Sequence, residues 1–402
     1  MIESKTVRKT IKMSHEEVIS SAKSLAPLLR KRGQDADILR SQPKETIDAI
    51  VDSGLIRILQ PEKFGGHELH INSLTEATME LAKGDPSAGW CFTLLGLHSF
   101  MLAGWPEEAQ KIVWGENPNA LISSAFALTG KARKADGGYY IEGEWPFSSG
   151  VDHSDWAMVS SAQPPLEKGQ NFRHLMFLVN RKDFEIEDDW NVSGIKGSGS
   201  KKIVIKEEIF VPNYMVCDIA KWSKLSVNPG ISINNNSMYK LPLLTIIPFF
   251  LASVILGSAK GAYEIWVDNA RKKATAYTNK IVSSYTHQQI RLAEYSAQLA
   301  SVEALFRNAV EEVTNSDGIL PQDLKVRLGR DYAYTAKVSA EVVQKLFYYS
   351  GAGAIYESNP MQRFWRDIQV MTMHAGLNFD FVGENFGRVE LGLGIPPENP
   401  YV

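Results

Sequence analysis

The sequence predicts an α+β protein built as an N-terminal helical domain (1–119), a central β-barrel or sandwich (120–222) and a C-terminal four-helix bundle (223–402). Three observations predict it. Apolar residues recur every three to four positions from about Ser14 to Gly115, switch to every second position between Ala120 and about Asp218, and return to the helical spacing up to the C-terminus. With 402 residues, 44% of them hydrophobic and 22% charged, the chain can bury the core of more than one domain.

The first helical stretch is SHEEVISSAKSLAPLLRKR, where Ser14 and Glu17 have the spacing of a capping box. KETIDAIVDSGLI and NSLTEATMELAKGD follow. Pro86 and Gly89 then open SAGWCFTLLGLHSFMLAGW, which carries His98. Short alternating runs come next: LISSAFAL, RKADGGYYIEGEW, WAMVSSAQ, HLMFLVN and KKIVIKEEIFVP. Asp136 to Gly138 is a hairpin signal, and QPPLEKGQN reads as an exposed connection. After the polar loop NPGISINNNS, the stretch LPLLTIIPFFLASVILG is nearly all apolar. It is shorter than the roughly 20 residues of a membrane span and holds Pro242 and Pro248, so it reads as a loop entering a core helix. THQQIRLAEYSAQLASVEALFRNAVEEV and QDLKVRLGRDYAYTAKVSAEVVQKLFYYSG complete the bundle.

Charge and motifs exclude several function classes. A net charge of -3 with no Lys/Arg run argues against nucleic acid. The charged N-terminus lacks an apolar signal core, so neither secretion nor a membrane is expected. Cys91 and Cys217 cannot form a disulfide framework and suit a reducing cytoplasm. Neither a GxxxxGK[ST] loop nor a GxGxxG turn occurs, which disfavours a nicotinamide or nucleotide fold. His67 and His70 in HELH lack the spacing of a metal pair, so no metal is expected. Ser149 lies in FSSG rather than in a GxSxG elbow.

Three stretches hold the candidate chemistry. RFWRDIQVMTMHAG reads as a largely buried helix bearing His374, whose imidazole must be hydrogen-bonded or reactive, because an unpaired buried polar group costs roughly 1–3 kcal/mol. GEWPFSSGVDHSDW sets Ser148 and Ser149 among aromatics at a strand end, where structural hydroxyls are the simple alternative. GIKGSGSKKIVI is a turn whose amides can meet an anion or a flat heterocycle, or serve a plain hairpin.

Taken together and in order, FGG (Phe64 to Gly66), GEWPFSSG followed by DW, DDWNVSGIKGSGSKKIVIKEEIFVP, LGSAKGAYE, and SGAG followed by RFWRD resemble the acyl-CoA dehydrogenase-like flavoproteins over nearly the whole chain. That resemblance implies flavin between the three domains. It departs from the dehydrogenases at Ala375, which stands where they keep a glutamate base, and IIPFFLASVILG offers no acid before Glu264. A C–H bond next to a thioester needs a placed base. The arginine-Phe-Gly motif is replaced by RKKATAYTNK.

These departures resemble the two-component flavin-dependent monooxygenases, which include 4-hydroxyphenylacetate, indole and steroid-phenol hydroxylases. Membership of that branch implies reduced flavin (FADH2 or FMNH2) and O2 as cofactors, a C4a-(hydro)peroxyflavin, a separate NAD(P)H:flavin reductase and a homotetramer. It implies His374, seven residues after Asp367, and Ser149 at the reacting flavin, with His98, Trp90 and Phe92 on the substrate side. Trp145, Phe147, Ser148, Gly197, Ser198, Gly199, Ser200, Gly351 and Gly353 are the implied cofactor contacts. The expected reaction is hydroxylation or epoxidation of a small aromatic, an indole or a phenol. N- or S-oxygenation on the same fold, an acyl-CoA dehydrogenase with a relocated base, and a flavin- or acyl-CoA-binding protein without a base are the alternatives.

Overall fold

The computed structural model describes residues 12–165, 172–275 and 278–396. The leading region folds as α1 (His15–Leu39), α2 (Lys44–Asp52), α3 (Ile71–Gly84), α4 (Pro86–Ala103) and α5 (Glu107–Glu116). The Ser14 hydroxyl accepts from the Glu17 N–H and the Glu17 carboxylate accepts from the Ser14 N–H, closing the capping box. Asp85 caps α4 by accepting from the Ala88 N–H, and Pro86 occupies the first turn, where a missing N–H is harmless. Every residue of α4 except Leu94 is buried, so this helix has no solvent face and runs through the interior.

Eight strands follow: β1 (Ile122–Ala125), β2 (Lys131–Ala135), β3 (Gly138–Ser148), β4 (Trp156–Gln163), β5 (Arg173–Asn180), β6 (Glu185–Glu187), β7 (Lys201–Pro212) and β8 (Val216–Asp218). They form two four-stranded sheets, ordered β1-β4-β5-β8 and β2-β3-β7-β6, rather than one closed barrel. Tyr139 of β3 meets Phe177 of β5 edge-on at 5.5 Å, which joins the sheets face to face. The β2–β3 hairpin turns through Asp136 and Gly137, where a φ of 74° suits glycine. The QPPLEKGQN connection lies largely outside the described residues.

The chain closes with α6 (Ile219–Leu225), α7 (Leu243–Lys272), α8 (Thr286–Thr314), α9 (Gln322–Tyr349), α10 (Pro360–Met371) and α11 (Phe379–Glu390). By length and composition α7 is apolar enough to cross a membrane, yet 89% of its most apolar window is buried in the protein. Phe249 of α7 packs between Phe306 of α8 and Tyr332 of α9, with ring centroids 6.0 and 5.2 Å away. Burying each such side chain stabilises the bundle by roughly 1.5–3 kcal/mol.

One expected element is shorter than its pattern suggests. The helical spacing of RFWRDIQVMTMHAG places His374 on a buried face, but α10 ends at Met371 and His374 lies in the turn beyond it, exposed to solvent. The backbone tightens there, with Met373 N–H bonding Val370 O and His374 N–H bonding Met371 O, three residues back rather than four. The His374 side chain then caps the next turn, competing with continued helix.

Candidate active site

Where α4, β3 and the turn before β7 meet, four polar side chains form one chain of hydrogen bonds. Trp90 of α4 donates its indole N–H to Ser149 Oγ at 3.1 Å. Ser149 Oγ is 2.7 Å from Ser200 Oγ, which is 2.7 Å from Ser198 Oγ. All four residues are buried. Because Trp90 is donor only, Ser149 must accept from it; if Ser198 donates to Ser200 and Ser200 to Ser149, the Ser149 proton is left to donate elsewhere. The backbone reinforces this pairing, since Gly150 N–H donates to Ser198 O at 2.9 Å.

His374 enters from the bundle. Its ring sits edge-on to Trp90, with centroids 6.2 Å apart, so Trp90 touches both Ser149 and His374. The Gly376 N–H donates to His374 Nδ1 at 3.2 Å, which assigns the neutral ring's proton to Nε2. Although His374 is exposed, the protein packed about its ring lowers the imidazole pKa from its ordinary value. His374 is thus a neutral donor at pH 7.

Phe147 precedes Ser148 and Ser149 in the chain. It lies at the irregularity between Trp145 and Ser148 in the β3–β7 pairing, holds a φ of 66°, and is 68% exposed while packing edge-on against Trp190 at 6.1 Å. A phenylalanine in the left-handed region is strained by about 1–3 kcal/mol, and such strain concentrates at functional sites.

His98 belongs to a second polar station. Eight residues after Trp90 on α4, about 12 Å along the axis, its Nδ1–H donates to Ile122 O at 2.5 Å and its Nε2 accepts from the Ser124 hydroxyl at 2.7 Å. Burial lowers its pKa to about 4. Leu95, between the two stations, packs beside Gly150. The remaining predicted residues differ in setting. Phe92 and Trp145 are fully buried, and Trp145 donates its indole N–H to Ser160 O inside the β region. Gly197, Ser198, Gly199 and Ser200 are buried rather than presenting open amides, and the Ser198 and Gly199 N–H groups bond Ile195 O and Lys196 O within the turn. Gly351 and Gly353 lie in the exposed loop between α9 and α10.

Residues 249–379 match the family model for the acyl-CoA dehydrogenase C-terminal domain. The chain is 33% identical over 379 residues to the flavin-dependent monooxygenase oxygenase subunit HsaA of Rhodococcus jostii, covering 92% of this chain and 97% of that protein. It is 33% identical over 390 residues to the FADH(2)-dependent resorcinol hydroxylase, oxygenase component, of a Rhizobium species, covering 94% and 95%. The crystal structure of 3-HSA hydroxylase from Rhodococcus sp. RHA1 superposes with a TM-score of 0.89 at 32% identity, over 97% of this chain and all of that one. The chain belongs to the flavin-dependent monooxygenase oxygenase subunits. It is an oxidoreductase that uses reduced flavin and O2, and as an oxygenase component it depends on a separate reductase component for that flavin.

The oxygenase's own residues fit a flavin. Phe147, two residues before Ser149, offers an exposed aromatic face. Ser148 Oγ, fully buried, has no hydrogen-bond partner among the described residues, and the Ser149 hydroxyl can donate. The polar edge of a flavin ring would give Ser148 a partner and accept from Ser149. No group of three metal-ligating side chains occurs among the described residues. Sequence reasoning missed Ser124: the alternation of LISSAFAL puts it on a face with Ile122, but only the fold shows that this face meets His98.

Proposed function

We propose that the oxygenase hydroxylates a small phenolic aromatic, with Ser149 and His374 at the flavin edge and Ser124 with His98 at the substrate's hydroxyl. The observation that carries this reading is that Trp90 touches both Ser149, through its indole N–H, and His374, through its ring edge, so that two side chains able to donate flank one indole. Reduced flavin, when bound, supplies the two electrons that let one atom of O2 enter the substrate while the other leaves as water. The chain's share is binding, donation and exclusion of water. Phe147 gives the ring system a platform, the Ser149 hydroxyl donates to its polar edge, and the His374 Nε2–H donates to negative charge developing nearby.

At the second station, Ser124 gives its proton to His98 Nε2 and keeps lone pairs free, so it can accept from a phenolic O–H. That acceptor raises electron density on the ring, which favours attack on an electron-poor oxygen atom. The resorcinol substrate in the name of one relative agrees with a phenol, and FADH2 is the favoured flavin for the same reason. An indole N–H fits the same acceptor and is the second substrate class.

A dehydrogenase with a relocated base has less support. Glu264 pairs with Arg30 at 3.4 Å, half-exposed on the outside of α7. We further propose the three domains at 1–119, 120–222 and 223–402, a cytoplasmic homotetramer, and cofactor contact from the Gly351–Gly353 loop. That loop's exposed neighbours Ile355 and Tyr356 suit a subunit contact. The test is to supply reduced FAD, O2 and a panel of phenols and indoles, then compare product with hydrogen peroxide. Product from phenols supports the reading; peroxide alone with every aromatic, and bleaching of oxidised flavin by acyl-CoA, contradict it.

A further inference from the structure

One buried carboxylate that the chemistry above does not use ties together two elements that reach Ser149. Asp367, in the last turns of α10, is fully buried. Its Oδ1 accepts from the Ile195 N–H at 2.7 Å and its Oδ2 from the Ser87 hydroxyl at 3.1 Å. Each bond holds the root of one arm that reaches Ser149. Ser87 is in the first turn of α4, one turn before Trp90, the donor to Ser149. Ile195 opens the turn that leads to Ser198 and Ser200, the other partners of Ser149.

Ile195 has a φ of 47°, a conformation a β-branched residue adopts only when its surroundings impose it. Asp367 Oδ1 holds its N–H, and the turn is pressed onto α10 so closely that a Cβ at Gly194 would lie 2.4 Å from Arg366 O. Around Asp367 stand Asp85, paired with Arg363 at 3.2 Å, and Asp37, paired with Arg366, which also lies 3.6 Å from Asp367. Three carboxylates therefore face two guanidinium groups. A cluster already short of positive charge does not need the charge of Asp367; it needs its two acceptors.

We propose that Asp367 is a positioning residue for the oxygenase reaction, fixing the Ser198–Ser200–Ser149 hydroxyl chain against Trp90 by gripping the Ile195 turn and Ser87 at once. The proposal rests on the reading of Ser149 as a donor at the flavin. Asp367→Asn keeps an acceptor for Ile195, presents an N–H to the Ser87 oxygen and leaves the carboxylates and guanidiniums balanced. Asp367→Ala removes both grips and lets the Ile195 turn relax.

The experiment measures amide hydrogen exchange of the 194–201 segment in the flavin-free protein, and product formed per reduced FAD oxidised with a phenol that the unmodified protein hydroxylates. For Asp367→Ala the expectation is at least tenfold faster exchange in that segment and about tenfold less product per flavin, the size of one lost hydrogen bond to a reacting group. Asp367→Asn should stay within about threefold of wild type on both. Should Asp367→Ala not fold, Ser87→Ala, which keeps its Cβ and loses one grip, should fall between the two. Faster exchange with unchanged product per flavin overturns the proposal, as does equal damage in the Asn and Ala variants, or a Ser87→Ala protein indistinguishable from wild type. Failure of the broader reading looks different: the unmodified protein then yields only peroxide.

Discussion

Removing the Ser149 hydroxyl should damage stability and coupling by separable amounts. In Ser149→Ala the Trp90 indole N–H, 6% exposed as a residue, loses its acceptor, while Ser200 keeps Ser198 at 2.7 Å. An orphaned buried donor costs about 1–3 kcal/mol, so a destabilisation of about 2 kcal/mol is expected. Trp90→Phe removes the donor and the mismatch together. The double variant should therefore lose about 1 kcal/mol less than the two single losses added. Function follows the hydroxyl rather than the indole: Ser149→Ala should cut product per flavin oxidised about tenfold, equivalent to about 1.4 kcal/mol, whereas Trp90→Phe should stay within about threefold. Denaturant unfolding reads the first quantity, and product against peroxide reads the second. Strictly additive stabilities, or wild-type coupling in Ser149→Ala, would refute the arrangement.

Three further outcomes follow from the same geometry. His374→Ala should lower hydroxylation and raise peroxide release several-fold; in the unmodified protein coupling should stay flat from pH 6.5 to 8.5 and fall below about pH 5, where a proton on Nδ1 displaces the bond from Gly376. Stability should rise with pH between about 4 and 6.5, because burial lowers His70, His98 and His174 to about 4 and lowers His67 and His153 as well, so the unfolded chain binds more protons there. Asp367, raised to about 6 by burial and neighbouring Asp85, contributes oppositely, since the folded chain holds its proton as pH climbs from the ordinary carboxylate value; the histidines outnumber it, and a curve falling across this window would contradict the assignment. His98→Ala, which orphans the Ile122 carbonyl and the Ser124 hydroxyl, should lose about 2–4 kcal/mol of stability and raise KM for a phenol more than it lowers kcat, as read by thermal unfolding and steady-state kinetics.

Local spacing carried the element order, because apolar period is a local property and each region buries the face its period marks. The capping box at Ser14, the turn at Gly137 and the buried run from Leu243 were all legible in this way. His374 departs from its helical spacing, since its side chain caps a new turn only once Gly376 approaches, a competition that spacing alone does not encode. The donor pairing of Ser149 with Trp90 joins residues 59 apart, and the grip of Asp367 on Ile195 joins residues 172 apart. Such contacts depend on how domains pack, which no local pattern encodes. Family resemblance supplied Ser149 and His374, while Ser124 and Ser87 became visible only as partners.

At Ser149 and His374 this chain is expected to put one oxygen atom from O2 into a small aromatic. Reduced FAD, a phenol and 18O2 mixed with the protein should give a hydroxylated product carrying one 18O atom, with less of it from His374→Ala and Ser149→Ala. A product whose new oxygen comes from water, or flavin oxidation that yields only labelled hydrogen peroxide, would contradict the account.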